Sequence, residues 1–211
     1  GQMNLVGTNI VVFDCEIENV IDGHAITWND HDKMGLSVAC LYDFMTDDYS
    51  VFFKEDVAEL CERLNSADLV VAFNQKGFDN KLLNACGGRV DESNHFDMLE
   101  ESRRATGWRD GDRYPSGLTL DAHLLTMFGV DNMKTANGAM APVWWQEGKR
   151  ARVVSYCLAD VKREKMLFEF IATNGFVETK VHGIRPINID AIKKAFVRKF
   201  EGTNENSETK A

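Results

Sequence analysis

The sequence predicts an α/β fold in which a mixed β-sheet is flanked by α-helices, and three observations predict it. Short runs rich in β-branched and aromatic residues recur in the first half of the chain, as β-strands do. Other segments carry apolar residues at helical spacing, the longest over residues 152–172. Three strand-like runs come first, and helix and strand patterns then alternate, which is an order typical of a mixed sheet covered by helices.

Local composition supports each predicted element. The first strand, over residues 8–17, is largely apolar and β-branched and is expected at the centre of the sheet. The polar stretch 20–33 is predicted to be a loop or a short insertion, and residues 133–148 show only weak periodicity. The same criteria predict further strands over residues 36–42, 49–53, 69–73 and 95–99, and helices over residues 55–64, 79–86 and 118–128.

The chain is predicted to have one main domain, formed by residues 1–175, which is large enough to bury a substantial core. Residues 176–200 are predicted to form a C-terminal extension that packs on this domain. Within it, a strand is expected over residues 176–181 and a helix over residues 189–200. The polar residues 201–211 are predicted to be a disordered tail.

Composition limits the partners and the compartment. The 211 residues carry a formal net charge of −9, which argues against a protein that holds long duplexes by charge alone. No apolar run has the length of a membrane span, so no membrane partner is expected. The five scattered cysteines form neither a zinc pattern nor a disulfide framework, which predicts reduced thiols in the cytoplasm. Basic residues gather on what is predicted to be one flank, at Arg103, Arg104, Arg109, Arg113, Lys149, Arg150 and Arg152.

Four carboxylates and one tyrosine have spacings that suit a metal site. Asp14 and Glu16 are two apart in a predicted strand, so their side chains point to the same face of the sheet. Tyr156 and Asp160 are four apart in a predicted helix and share a face of it. Asp79 follows an apolar strand at the start of a predicted helix. Carboxylate oxygens are hard ligands of the kind that Mg²⁺ and Mn²⁺ prefer, so these residues predict a magnesium or manganese site.

These segments, in their order along the chain, resemble the three motifs of the DEDD superfamily of 3'→5' exonucleases, which have an RNase H-like fold. Residues 14–16 match the Asp-x-Glu motif, residues 74–79 the Asn-x(2–3)-Phe/Tyr-Asp motif, and residues 156–160 the Tyr-x3-Asp motif. The histidine form of the third motif would need a histidine at position 155, where this chain has Ser155. The resemblance is therefore to the tyrosine (DEDDy) subclass, and most to the proofreading domains of family-B DNA polymerases and their stand-alone relatives.

The resemblance implies a mechanism with two divalent cations, Mg²⁺ or Mn²⁺. It implies that Asp14 bridges the two ions, that Glu16 and Asp160 complete the side of the catalytic water, and that Asp79 holds the second ion largely through water. Tyr156 is expected to orient that water, because a phenol with a pKa near 10 is ionised in only about one molecule in a thousand at neutral pH. All five residues are thus predicted to be catalytic.

Further residues are weaker candidates. Asn74 and Phe78 match motif positions that lie against the substrate strand in the family, although Phe78 is equally well explained as core. Lys134 could reach a phosphate or could simply be solvated. Asp97 could support the metal site or cap a helix. Three tryptophans, which are usually packing residues, could instead stack on unpaired bases: Trp108, Trp144 and Trp145.

The function that these patterns predict is a metal-dependent 3'→5' exonuclease that releases nucleoside 5'-monophosphates from single-stranded ends. DNA is favoured over RNA as the substrate, although no residue identifies a contact that would read a 2'-hydroxyl. Two alternatives stay open: an RNase H-like endonuclease, and a nucleic-acid-binding module without catalysis. The predicted partner is the 3' end of a single strand, and a polymerase or a repair or replication protein could act with it in trans.

Overall fold

The computed structural model describes residues 3–130 and 138–208, the last seven of them by their backbone alone. It contains a five-stranded sheet in the order β3-β2-β1-β4-β5. β2 pairs antiparallel with β1 and β3, whereas β4 pairs parallel with β1 and β5, so the sheet is mixed. The strands are β1 (Ile10–Ile17), β2 (Leu36–Asp43), β3 (Asp48–Phe53), β4 (Leu69–Ala72) and β5 (His95–Asp97).

Helices surround this sheet, and a two-stranded antiparallel hairpin follows the longest helix. The arrangement confirms the predicted α/β class of a mixed sheet flanked by helices. The helices are α1 (His31–Met34), α2 (Val57–Ser66), α3 (Asp79–Ala85), α4 (Met98–Ala105), α5 (Leu120–Phe128), α6 (Ala141–Gln146), α7 (Arg150–Asn174) and α8 (Asp190–Glu208). The hairpin consists of β6 (Phe176–Thr179) and β7 (Gly183–Pro186).

The sheet separates two hydrophobic cores, and β1 contributes to both. Ile10 and Val12 face the core built on α5, α6, α7 and α8. Val11 and Phe13, which alternate with them, face the core built on α2 and α3. This alternation is the two-residue period of a strand buried on both sides. It also decides the face on which the later residues of β1 lie.

The structure corrects several predicted boundaries. The strand expected over 95–99 ends at Asp97, because Asp97 caps α4 by accepting hydrogen bonds from the backbone N–H groups of Leu99 and Glu100. The weakly periodic segment contains α6, whose first turn holds Pro142, where proline is tolerated.

The C-terminal part also differs from the predicted pattern. The strand expected over 176–181 is the shorter β6, which pairs with the unpredicted β7. The last helix, α8, reaches Glu208 and so extends into the tail that composition predicts to be disordered. Within the described residues, no helix is both long and apolar enough to cross a lipid bilayer.

Candidate metal centre and active site

Asp14 and Glu16 lie near the end of β1, on the face that carries Ile10 and Val12 and that α7 covers. The pairing of β1 with β2 is irregular between Glu16 and Ile17, where the register shifts. Such bulges bend a strand and re-aim its side chains, and they are common beside active sites. The Asp14 and Glu16 side chains lie close enough to perturb each other's pKa, and Glu16 is 8% exposed.

Helix α7 brings Tyr156 and Asp160 to the same place. The side chain of Asp160 lies close enough to those of Asp14 and Tyr156 for both to perturb its pKa. Between them on the helix, the Cys157 Sγ lies 3.4 Å from the backbone oxygen of Asp14 and 3.9 Å from its Oδ2. The residues of the first and third motifs, which are more than 140 positions apart, are thus in direct contact.

Asp79 joins the group from the N-terminus of α3 and is 3% exposed. Its Oδ2 accepts a 2.9 Å hydrogen bond from the backbone N–H of Cys15, which lies between Asp14 and Glu16. Asp79 is therefore attached to the same strand that carries the first two carboxylates. The predicted catalytic residues Asp14, Glu16, Asp79, Tyr156 and Asp160 all converge at this end of β1.

Asp97 holds the turn that leads into α3. Its Oδ1 accepts a 2.9 Å hydrogen bond from the N–H of Asn74, and its Oδ2 accepts one of 3.2 Å from the N–H of Lys76. Asn74 has the left-handed backbone angle φ = 64°, and its side chain leaves no room for a Cβ at Gly77. The cap of α4 and the turn thus share one carboxylate, which supports the capping interpretation of Asp97.

Burial and like charge raise the pKa values of the clustered acids. Burial, together with the charge of Asp79, raises the pKa of Asp14 to about 8. Burial raises the pKa of Asp79 to about 7 and, together with the charge of Asp14, that of Asp160 to about 8. Burial and the Asp14 charge also hold the pKa of Glu16 well above its ordinary value. Without added positive charge, the four carboxylates cannot all ionise at low cost.

This donor set fits hard divalent cations. Ligand atoms of Asp14, Glu16 and Cys157 lie within 4.8 Å of one another. Burial keeps the pKa of the Cys157 thiol well above its usual range, so the thiol stays protonated and is a poor ligand. Asp14 and Glu16 are then the ligands that remain of these three. Asp79 and Asp160 lie beside them, and the carboxylate oxygens of all four are of the kind that Mg²⁺ and Mn²⁺ bind.

The hydroxyl of Tyr156 stays protonated in this setting. Burial and the neighbouring charges of Asp160, Glu16 and Asp14 raise the pKa of its phenol. The ring makes an edge contact with Trp144, with centroids 6.0 Å apart. A Cβ built at Gly138 would lie only 3.1 Å from the Tyr156 hydroxyl, so a side chain at this position would crowd the phenol. Tyr156 can donate a hydrogen bond here but is a poor base.

Two neighbouring residues were missed by the sequence reasoning, Arg163 and Glu164. Arg163 forms an ion pair with Asp160 at 2.7 Å and a second with Asp121, and it is the nearby cation that favours ionisation of Asp14. Glu164 is 3% exposed, and its Oε2 has no hydrogen-bond partner among the residues described. Their spacings of three and four from Asp160 were the available signal, since such residues share a helix face.

The weaker candidates have mixed outcomes. Phe78 packs against the core on α2 and α3 and contacts the rings of Trp28 and His31, while Asn74 lies in the turn before α3. Lys134 lies outside the described residues. Trp144 is 6% exposed, so it is a packing residue, whereas Trp145 and Trp108 are only partly buried.

Comparison with known proteins places the chain within one superfamily. The model of the RNase_H_2 family, described as RNase_H superfamily, matches residues 12–171. That range contains all five convergent residues. No curated protein matched the sequence. Among 61 similar chains of solved structure, one described as the "apo form of the nuclease" has a TM-score of 0.41 and 18% identity, and the match covers 77% of this chain and 73% of that chain. A similarity this distant carries no argument about activity.

Proposed function

The chain belongs to the RNase H superfamily, and from this premise we propose that it is a metal-dependent 3'→5' exonuclease acting on single-stranded nucleic acid. Membership of this superfamily supports a nuclease function. The observation that carries the finer proposal is the contact of Tyr156 with Asp160 and of Asp160 with Asp14, because this unites the tyrosine of the third motif with the carboxylates.

Asp14, Glu16, Asp79 and Asp160 would hold two divalent cations. When bound, such cations stabilise the negative charge that develops on the attacking and leaving oxygens of the phosphodiester. The protein provides carboxylates that are already assembled and largely dehydrated, so little reorganisation is needed before the reaction. Their raised pKa values fit this use, because buried acids in mutual contact favour a site where cations compensate their charge.

Tyr156 has a positioning role in this proposal. Its phenol lies beside Asp160 and keeps its proton at neutral pH, so it can orient a water molecule but not deprotonate it. Gly138 lies against this hydroxyl, where a larger residue would crowd it. The tyrosine also favours an exonuclease over the RNase H-like endonuclease, because it belongs to the exonuclease motif.

The proposal is tested by digesting 5'-labelled single-stranded DNA and RNA of equal sequence with Mg²⁺ or Mn²⁺. We expect products that shorten stepwise from the 3' end, and we expect both EDTA and Asp14→Asn to abolish them. Glu62→Gln, an exposed carboxylate on α2, is the matched control and should digest like the wild type. DNA is the expected preferred strand.

Other outcomes would redirect the proposal. Internal cuts without stepwise shortening would favour the endonuclease. Binding of either strand without any cleavage, by a protein with a normal melting temperature, would favour a module that binds nucleic acid without hydrolysing it. Full activity of Asp14→Asn would contradict the assignment of the metal site.

A further inference from the structure

An arginine–aromatic ladder, formed by Arg103, Tyr114, Trp108 and Arg104, lies on α4 and the loop after it. The Arg103 guanidinium lies 3.7 Å from the centroid of the Tyr114 ring. The rings of Tyr114 and Trp108 are 5.6 Å apart and inclined by 33°, and Arg104 lies 5.2 Å over Trp108. Two adjacent aromatic rings are therefore flanked by one guanidinium at each end.

The ladder is partly open to solvent, with Arg104 and Tyr114 exposed and Arg103 and Trp108 half-buried, and it keeps unused positive charge. Tyr114 is 62% exposed, an unusual position for a large aromatic ring. Arg103, Arg109 and Arg113 form no ion pair within residues 3–130 and 138–201, and the Nε of Arg103 is buried without a hydrogen-bond partner there. Arg104 alone is neutralised, by Glu100 and Asp110.

The loop does not need the exposed tyrosine to define its turn. The indole N–H of Trp108 donates to the backbone oxygen of Asp112, and the N–H of Arg109 donates to the Asp112 carboxylate. The N–H of Asp112 donates back to the oxygen of Arg109. These hydrogen bonds close the turn between Trp108 and Asp112 and leave Tyr114 beyond it.

A series of contacts connects the ladder to the candidate active site. Lys76, in the turn before α3, forms an ion pair with Glu100 at 2.7 Å, and Glu100 also binds Arg104 at 3.1 Å. Lys76 is itself held by Asp97, which begins α4. The ladder thus lies about two helical turns along α4 from the turn that delivers Asp79.

We propose that the ladder is a second nucleic-acid surface, which stacks unpaired bases of the strand whose 3' end occupies the active site. This inference rests on the proposed function. Aromatic faces and guanidinium planes bind unstacked bases of any sequence, and the unpaired arginines suit the phosphates between them. A duplex hides its base faces, and a chain of net charge −9 is poorly suited to hold one by charge.

The test measures binding of about 20-nucleotide fluorescent single strands by anisotropy, with EDTA and in the cleavage-silent Asp14→Asn background. We expect Tyr114→Ala to weaken binding of DNA or RNA strands by at least about fivefold. Tyr114→Phe should bind within about twofold of the parent, because stacking does not need the hydroxyl. Phe200→Ala removes a similarly exposed ring from α8, which contacts Asp68 before β4, and should bind like the parent.

Each result decides for or against the ladder. Equal binding by Tyr114→Ala and its parent, equal weakening by Phe200→Ala, or tighter binding of duplex than of single strands overturns the proposal. If Tyr114→Ala weakens binding but the wild type cleaves neither strand, the ladder is supported and the proposed nuclease activity is contradicted. If the wild type cleaves but Tyr114→Ala binds as tightly as its parent, the ladder is overturned and the proposed nuclease activity is retained. Melting temperatures within about 2 °C of the parent exclude unfolding as the cause.

Discussion

The eight residues of β1 alternate between two faces that have opposite chemistry. On the face toward α2 and α3, Val11 and Phe13 are fully buried in an apolar core. On the face toward α7, the apolar residues Ile10 and Val12 are followed by Asp14 and Glu16. The comparison teaches that one strand can anchor a rigid core with one face while it presents reactive groups with the other. The strand tolerates buried carboxylates because the packing on both sides holds it in place.

The largest expected effect on stability is at the apolar face of β1. Phe13→Ala should lower the free energy of unfolding by about 3–5 kcal/mol, because it removes a fully buried ring and leaves a cavity. Asp14→Asn, the neighbouring change on the other face, should not lower it in EDTA, since ionisation of the Asp14 carboxylate opposes folding. Urea titrations of both variants measure the difference. A larger loss of stability in Asp14→Asn than in Phe13→Ala would refute the division between the two faces.

A smaller effect is expected at the junction of the acidic face with α7. Tyr156→Phe should slow turnover by about 10- to 100-fold, the size expected for one hydrogen bond made in the transition state. Stabilisation by Mn²⁺ in thermal melts should be unchanged, because the tyrosine is not a proposed ligand. The pH profile of the remaining activity should keep its shape, because the raised pKa of the Tyr156 phenol keeps it protonated. Loss of the rise in rate at high pH would instead identify Tyr156 as a base.

The smallest effect concerns Glu164, the buried acid that no proposed step uses. Burial raises its pKa well above 4.5, so the folded protein keeps a proton that the unfolded chain has lost. The native state then binds more protons, and the contribution of Glu164 to stability falls as pH rises from 4.5. Glu164→Gln should therefore raise the melting temperature in EDTA, by more at about pH 8 than at about pH 5.

The exposed Glu62→Gln serves again as the control and should leave the melting temperature unchanged at both pH values. Destabilisation by Glu164→Gln at about pH 8 would show that the Glu164 carboxylate has an ionic partner in the folded protein.

Much of the fold could be predicted from local sequence patterns. β1, α5 and α7 were expected close to their observed bounds, because apolar periodicity and glycine stops act over a few residues. Helix α4 was missed because its start depends on the Asp97 cap, although Glu100 three residues later was a sign of a helix start. Strand β7 was missed because all four of its residues are exposed, so it lacks the half-buried alternation by which strands are recognised.

The candidate site shows the same division between local and distant information. Spacing alone placed Asp14 with Glu16 and Tyr156 with Asp160, since the periods of strand and helix decide which neighbours share a face. Arg163 forms ion pairs with Asp160 on its own helix and with Asp121 on α5. No local sequence pattern indicates that Asp121 lies beside Arg163. The same is true of the hydrogen bond from Cys15 to Asp79, which attaches α3 to β1.

By itself, the sequence determined the α/β class, the order of the sheet strands and of the longest helices, and the residue types able to hold a hard cation. Those properties follow from backbone periodicity and side-chain chemistry, which act at short range along the chain. Only the tertiary structure decided that Trp144 packs while Tyr114 stays exposed, that Asp97 ties a turn to a helix, and that Glu164 is buried with its Oε2 unbonded among the described residues. Burial and contact depend on how distant segments pack against each other, and they set both the pKa values of the acids and the surfaces left open to a ligand.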